Sequence, residues 1–441
     1  MPSVIDHLEE RTGGRDIDIR SRKFYGLLLI SGAVGAAGAL LTLGFIIVLR
    51  GGTSLIWQSI PQLFGVSDGT ASPAFVIVTC AVGGLLVGLI TKYSRTRPAL
   101  LAEELGEFAD CGRLDIRNGA ASLLRGLVGL MFGGSIGPEG PLTGGSGALG
   151  TWLAERLKFS RPVVAVSSLS GMSGMFGSFL GSPFGFAMFT IEAGLEEGKL
   201  SWKLLLPSVV AASVGYGVFF ALTGYVFGGD YDLPPYGEWY LIDLVYALPL
   251  GLLGGLLGLL FIRLFQPMHR WADRWRSRPI STAVLAGLIL GVTGAVFPIL
   301  LFSGDNEIQT LIDGASAMGA PLLIALALLK VFVTVVCLSL GWSGGYIFPS
   351  FFMGAALGLA VHQLLPFIPE VVCIVCLMSG VSVALLRSPI ALTMIIQVLF
   401  DVRLAPIIAV AIVSSFLLTY HTSLMPSRGC VNGEGSRRQG P

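Results

Sequence analysis

The sequence is poor in charge, in histidine and in any excess of one sign. Only 12% of its 441 residues are Asp, Glu, Lys or Arg, against roughly 25% in a soluble domain. With 53% hydrophobic residues, the chain has too little polar surface to face water on every side. Its 28 basic and 27 acidic residues leave a net charge of +1, so there is no basic footprint for a nucleic acid. The four histidines, His7, His269, His362 and His421, are scattered without ligand spacing. The six cysteines (Cys80, Cys111, Cys337, Cys373, Cys376 and Cys430) form no disulfide framework, and Cys373-Ile-Val-Cys376 lies inside an apolar run, where buried thiols are expected rather than metal ligands or a redox pair. No metal and no cofactor is expected. Nor is there the convergence of nucleophile, base and metal ligands that a membrane-embedded enzyme needs.

Apolar length and glycine are abundant. Sixty glycines suit helices that pack closely in lipid. Long apolar runs cover residues 24–49, 74–90, 203–229, 238–266, 282–302, 320–340, 346–365, 370–386 and 404–420, the pattern of an all-α polytopic membrane protein whose first partner is the lipid bilayer. Residues 123–132, 163–180 and 184–191 are shorter and interrupted by Gly-Ser-Pro clusters, as tilted or half-spanning helices are. Residues 99–117 are polar enough for an interfacial helix and turn. Residues 1–23 read as a cytoplasmic N-terminal segment with no removable signal, because they end in Arg20-Ser21-Arg22-Lys23 ahead of the first run. The basic stretch 92–97 and the loop with Arg270, Arg274, Arg276 and Arg278 fall on the same side. Gly228-Gly229-Asp230-Tyr231-Asp232-Leu233-Pro234-Pro235 is loop-like and divides a first membrane repeat, 24–229, from a second, 240–424. Residues 427–441 lack periodicity and read as a disordered tail. The expected location is the cell membrane, crossed many times.

Within this apolar sequence a carboxylate stands in Gly133-Gly134-Ser135-Ile136-Gly137-Pro138-Glu139-Gly140-Pro141. Glycine and proline break a continuous helix. A broken helix is tolerated in a membrane only where protein or a watery cavity satisfies its backbone, and its new N-terminus offers N–H groups to an anion. Glu139 competes for that place, which makes it a candidate gate. The competing reading is a glutamate that caps a helix at the membrane interface, although intramembrane carboxylates are functional by default.

The motif recurs. Gly341-Trp342-Ser343-Gly344-Gly345-Tyr346-Ile347-Phe348-Pro349 matches it at a fixed offset, pairing Gly133 with Gly341, Ser135 with Ser343, Gly137 with Gly345 and Pro141 with Pro349. Ala148-Leu149-Gly150 returns as Ala356-Leu357-Gly358, and Ser182-Pro183 with Met188 as Ser388-Pro389 with Met394. Each half also carries a cation in an apolar run before its motif, Arg125 and Lys330. These attract anions or snorkel to an interface. Two equivalent broken-helix sites in two halves point to a transport path at the midplane.

At these residues the chain resembles the ClC family of chloride channels and chloride/proton exchangers. Gly137-Pro138-Glu139-Gly140-Pro141 is similar to the family's gating-glutamate motif and Gly344-Gly345-Tyr346-Ile347-Phe348-Pro349 to its second anion motif, with Lys330, Cys337 and Gly341 at matching spacings and Gly181-Ser182-Pro183 to Glu192 similar to the helix after the first motif. The resemblance implies an inverted-repeat bundle of tilted and broken helices, paired as a homodimer with one pore in each subunit. It implies that Glu139 gates, that the N–H groups of Tyr346 and Ile347 hold a central chloride or other small anion, and that the turn at Glu139 and Gly140, with Gly137 beside it, holds an outer one. Three departures follow. The family's serine turn has only Ser94-Arg95-Thr96-Arg97-Pro98 here, leaving Ser94 as the candidate ligand; the late tyrosine has only Tyr420; and Ala193 stands where exchangers carry an acid, leaving Glu192, Glu196 and Glu197 as substitutes on a proton path. The expected function is a gated passive channel for chloride or a similar monovalent anion, with a proton-coupled exchanger as the alternative.

Overall fold

Apolar length sets the helices, and small residues set how closely they lie. The computed structural model describes residues 21–63, 72–195, 202–225, 231–233, 236–237, 240–400, 402–422 and 424. The expected tail, most of the N-terminal segment, Glu196 and Glu197 lie outside these. Helix α1 (Arg22–Ser54) starts where the Ser21 hydroxyl accepts the Phe24 N–H at 3.2 Å, and it runs on through a π-helical turn at Leu55–Ser59. There follow α2 (Pro73–Ser94), α3 (Leu101–Cys111), α4 (Ile116–Met131), α5 (Glu139–Arg156), α6 (Arg161–Leu180), α7 (Pro183–Leu195) and α8 (Trp202–Thr223). The second half holds α9 (Leu241–Asp273), α10 (Pro279–Val296), α11 (Asp305–Ser339), α12 (Ile347–Leu364), α13 (Glu370–Leu386), α14 (Pro389–Leu399) and α15 (Ala405–Thr419).

Among the described residues eight helical segments are long and apolar enough to cross a membrane, so the chain is a multi-pass membrane protein. Their burial sorts them. In α6 94% of the apolar window is buried inside the molecule, against 33% in α10, so α6 belongs to the interior and α10 to the periphery, packed on one side against α2. No strand occurs among the described residues. An isolated antiparallel bridge joins Gly137 to Gly345.

The two halves match in helix order. The opening helices α1 and α9 have 33 residues each, and the motif helices α5 and α12 have 18 each. The long α11 looks like an exception, but its backbone breaks at Gly319 (φ 64°, ψ 149°) ahead of Pro321, so its two parts answer α3 and α4. The apolar pattern predicts a run only from 320; the stretch from 305 to 318 is helical as well, and Asp305, Glu307 and Asp313 interrupt its apolar positions. The expected short segments at 123–132 and 184–191 are parts of α4 and α7, and the basic stretch after 266 begins while α9 is still helical, since α9 reaches Asp273.

Candidate anion site between the two halves

Both motifs are turns between two helices. After α4 the chain turns through Gly133 (φ 87°), and after α11 it turns through Gly341 (φ 103°). Both values lie in the left-handed region that glycine adopts without a Cβ penalty, which explains why the repeat keeps glycine at both places. The two connecting runs then pair. The Gly137 N–H donates to the Gly345 carbonyl at 2.8 Å and the Gly345 N–H to the Gly137 carbonyl at 2.7 Å. This pairing sets the N-termini of α5 and α12 beside each other, and each is the positive end of a helix dipole.

Glu139, the first residue of α5, is fully buried. Its Oε1 accepts the backbone N–H of Ile347, the first residue of α12. A Cβ placed on Gly137 or on Gly345 would overlap that carboxylate, so glycine at both positions lets the backbone close around it. The Gly137 N–H is already used in the bridge. Its part in the site is therefore to admit the carboxylate, not to donate to an anion. Gly140 packs against the Gly344 carbonyl group and the Gly345 nitrogen. Tyr346 is buried, with its ring 6.4 Å from that of Phe261. In chemical terms the carboxylate of one half is a tethered anion at the helix N-terminus of the other, where a free anion would find the same donors.

The two cations are fully buried and neither snorkels. Arg125 donates from Nε to Ser343 Oγ (2.8 Å), from one terminal nitrogen to Thr96 Oγ1 (2.7 Å) and Ser94 Oγ (3.4 Å), and from the other to the Arg97 carbonyl (2.9 Å). Lys330 donates to the carbonyls of Leu300 (3.1 Å), Leu301 (3.4 Å) and Phe302 (2.9 Å), and its Nζ lies 4.8 Å from the centre of the Phe352 ring. Each cation thus ties down the turn that follows a spanning helix, α2 for Arg125 and α10 for Lys330. The repeat-related serines bond across the halves too: Ser343 to Arg125, and Ser135 to Thr334, 3.2 Å away and one helical turn beyond Lys330. The matched serines were legible in the sequence; Thr96 and Thr334 carried no signal there.

Other candidates fall elsewhere. Ser94 belongs to the Arg125 network and lies 2.9 Å from the Thr96 hydroxyl. Tyr420 is 53% exposed, beside Phe416 and His421, and is not brought to Glu139. Glu192, in α7, accepts the N–H groups of Ile390 (2.6 Å) and Ala391 (3.0 Å) at the start of α14. It is a helix cap between the halves. Glu192→Ala is therefore expected to cost about 1–2 kcal/mol, read as a lower melting temperature in detergent, while Glu192→Gln, which keeps one acceptor oxygen, loses less.

Comparison with known proteins agrees with this geometry. The profile described as voltage gated chloride channel matches residues 83–420. The YfeO protein of Escherichia coli O1:K1 / APEC is 26% identical over 410 residues, covering 90% of this chain and 94% of YfeO. Among solved structures, a CLC-type fluoride/proton antiporter shares the fold with a TM-score of 0.76 at 19% identity, over 92% of this chain and 98% of that one. A slow cyanobacterial Cl-/H+ antiporter does so with a TM-score of 0.73 at 20% identity, over 89% and 94%. The matched region takes in Glu139, both glycine turns and the start of α12, and by it the chain belongs to the voltage-gated chloride channel family, the ClC proteins.

Proposed function

We propose that this chain carries chloride or a similar small monovalent anion across the cell membrane, with Glu139 as the gate. One observation carries the reading: the Glu139 carboxylate accepts the Ile347 N–H, the donor a permeating anion would use. Protonation removes the charge that holds the carboxylate there, or an incoming anion displaces it, and the site opens. Backbone donors suit this task because they bind an anion without a fixed full charge that would trap it. The reading includes a homodimer with one path per subunit, inverted repeats at 24–229 and 240–424, and a cytoplasmic N-terminus. It assigns no catalytic reaction.

Passive conduction needs only the gate, and Ala193 at the expected acid position favours it. Proton-coupled exchange is the second reading, favoured by the names of the fold neighbours, a fluoride/proton and a Cl-/H+ antiporter. Chloride efflux from liposomes holding the purified protein tests transport, and an absence of efflux overturns the proposal. A chloride gradient that drives protons uphill in the same liposomes selects exchange.

Selectivity should be weak or shifted. The Ser94 hydroxyl has acceptors of its own in the Thr91 carbonyl (3.4 Å) and the Thr96 hydroxyl (2.9 Å), and this reading therefore rests discrimination among anions on backbone N–H groups. Competition among chloride, nitrate, bromide and fluoride in one flux assay is expected to give similar apparent affinities; a strong preference for chloride would count against this account.

A further inference from the structure

A second buried carboxylate lies outside the gate. Glu104, in the short amphipathic α3, is 4% exposed. Its Oε1 accepts the hydroxyl of Ser122 at 2.8 Å, and its Oε2 is buried without a hydrogen-bond partner. Such an atom is costly unless the group has a use for it. The carboxylate fills the space where Gly144 of α5 would otherwise carry a Cβ. Gly140 and Gly144 stand one turn apart on the same face of α5. Against Gly140 lies the Gly344–Gly345 peptide, and against Gly345 lies the carboxylate of Glu139. The contact of Glu104 and that of the Gly344–Gly345 peptide are thus about 6 Å apart along α5, the rise between Gly144 and Gly140.

The outward end of the same line is acidic. Glu107, one turn on along α3, is partly exposed. The charged groups around Glu104 are Glu107 on its own helix and Arg125 on α4, whereas α5 presents glycine to it.

We infer that Glu104 is a proton relay that delivers protons to Glu139 from the face of the molecule carrying α3 and the basic stretch 92–97. The proton enters at Glu107, passes to the Glu104 carboxylate and leaves it through one or two waters for the Glu139 carboxylate; only O–H bonds break and form, and Glu104 returns to its starting state. The inference rests on the proposed gating role of Glu139. Burial pushes the Glu104 carboxyl up to about 8, with the Ser122 hydrogen bond, the Arg125 charge and the nearby Gly144 backbone opposing and Glu107 adding to the rise. The group therefore loads below that pH and unloads above it, in the range where a relay has to work.

The test uses full-length protein in membrane vesicles of one orientation, with pH set separately on the two faces. Wild-type anion flux is expected to respond to pH on the α3 face. Glu104→Gln, which keeps the shape and an acceptor for Ser122, is expected to reduce that response about tenfold or more, as loss of a proton-transfer group does, while flux at a fixed pH stays within about twofold and the response to the opposite face persists. Ser122→Ala leaves the carboxylate but removes a bond that lowers its pKa, so the midpoint of the α3-face response should move up by roughly half to one unit. Glu139→Gln should abolish the response to both faces. A Glu104→Gln response equal to wild type, an unmoved Ser122→Ala midpoint, or a wild type indifferent to pH on the α3 face would overturn the relay. Retention of pH dependence by Glu139→Gln overturns the gate itself, so the two failures can be told apart.

Discussion

Glu139→Ala is expected to leave the protein folded and to make anion flux independent of external pH. In the wild type, flux should rise as the pH falls, because protonation releases the Ile347 N–H from the carboxylate. Without the side chain there is nothing to release. A hydrogen bond to an ionised group is worth about 1.5–3 kcal/mol, so removing this competitor should raise occupancy of the site by a dilute external anion by about 10- to 100-fold. Glu139→Gln should behave as the protonated form at every pH. Measuring efflux between acid and neutral external pH decides it: a pH response in the alanine variant as steep as in wild type, together with lost stability, would return Glu139 to the role of a helix cap.

The second large effect is expected at Arg125. Its guanidinium satisfies the hydroxyls of Ser343, Thr96 and Ser94 and the carbonyl of Arg97, all in a fully buried position. Arg125→Met leaves these groups facing an apolar side chain, at about 1–3 kcal/mol for each one left unpaired. Ser94 and Thr96 already bond each other at 2.9 Å, so part of the loss is recovered, and a net cost of about 3–5 kcal/mol is expected. The melting temperature in detergent should fall by roughly 3–5 °C. Arg125→Lys should rescue little, because a point ammonium cannot reach acceptors on so many sides. If Arg125 were instead a snorkelling cation, either change would move the melting temperature by no more than a degree or two.

What sequence reading could reach follows from the kind of interaction involved. The breaks at Gly133 and Gly341 were legible because they are local: a left-handed turn needs glycine, and the repeat kept it twice. The place of Glu139 was legible because a carboxylate in apolar sequence needs a reason. The uses of Arg125, Lys330 and Glu192 were not legible. Each depends on what lies opposite in the folded molecule, a turn about 30 residues earlier for the two cations and a helix start nearly 200 residues later for Glu192, and neither leaves a pattern along the chain. Glu104 was not legible either, for a related reason. On an amphipathic helix with Glu103 and Glu107 for neighbours, a glutamate looks like one more solvated charge, and only packing against Gly144 distinguishes it.

The contact between Glu139 and Ile347 spans 208 residues of sequence, and that separation governs how the protein is made. During synthesis at about 5–20 residues per second, roughly 10–40 s pass between the appearance of the acid and the appearance of its partner. Throughout that interval the start of α5 has no α12 beside it, and an ionised carboxylate in lipid without a partner is expensive. The nascent first half must therefore hold Glu139 in water or hold it protonated. The contact between the two helix starts is a late product of assembly, completed when the second half arrives to take up the acid that the first half has kept waiting.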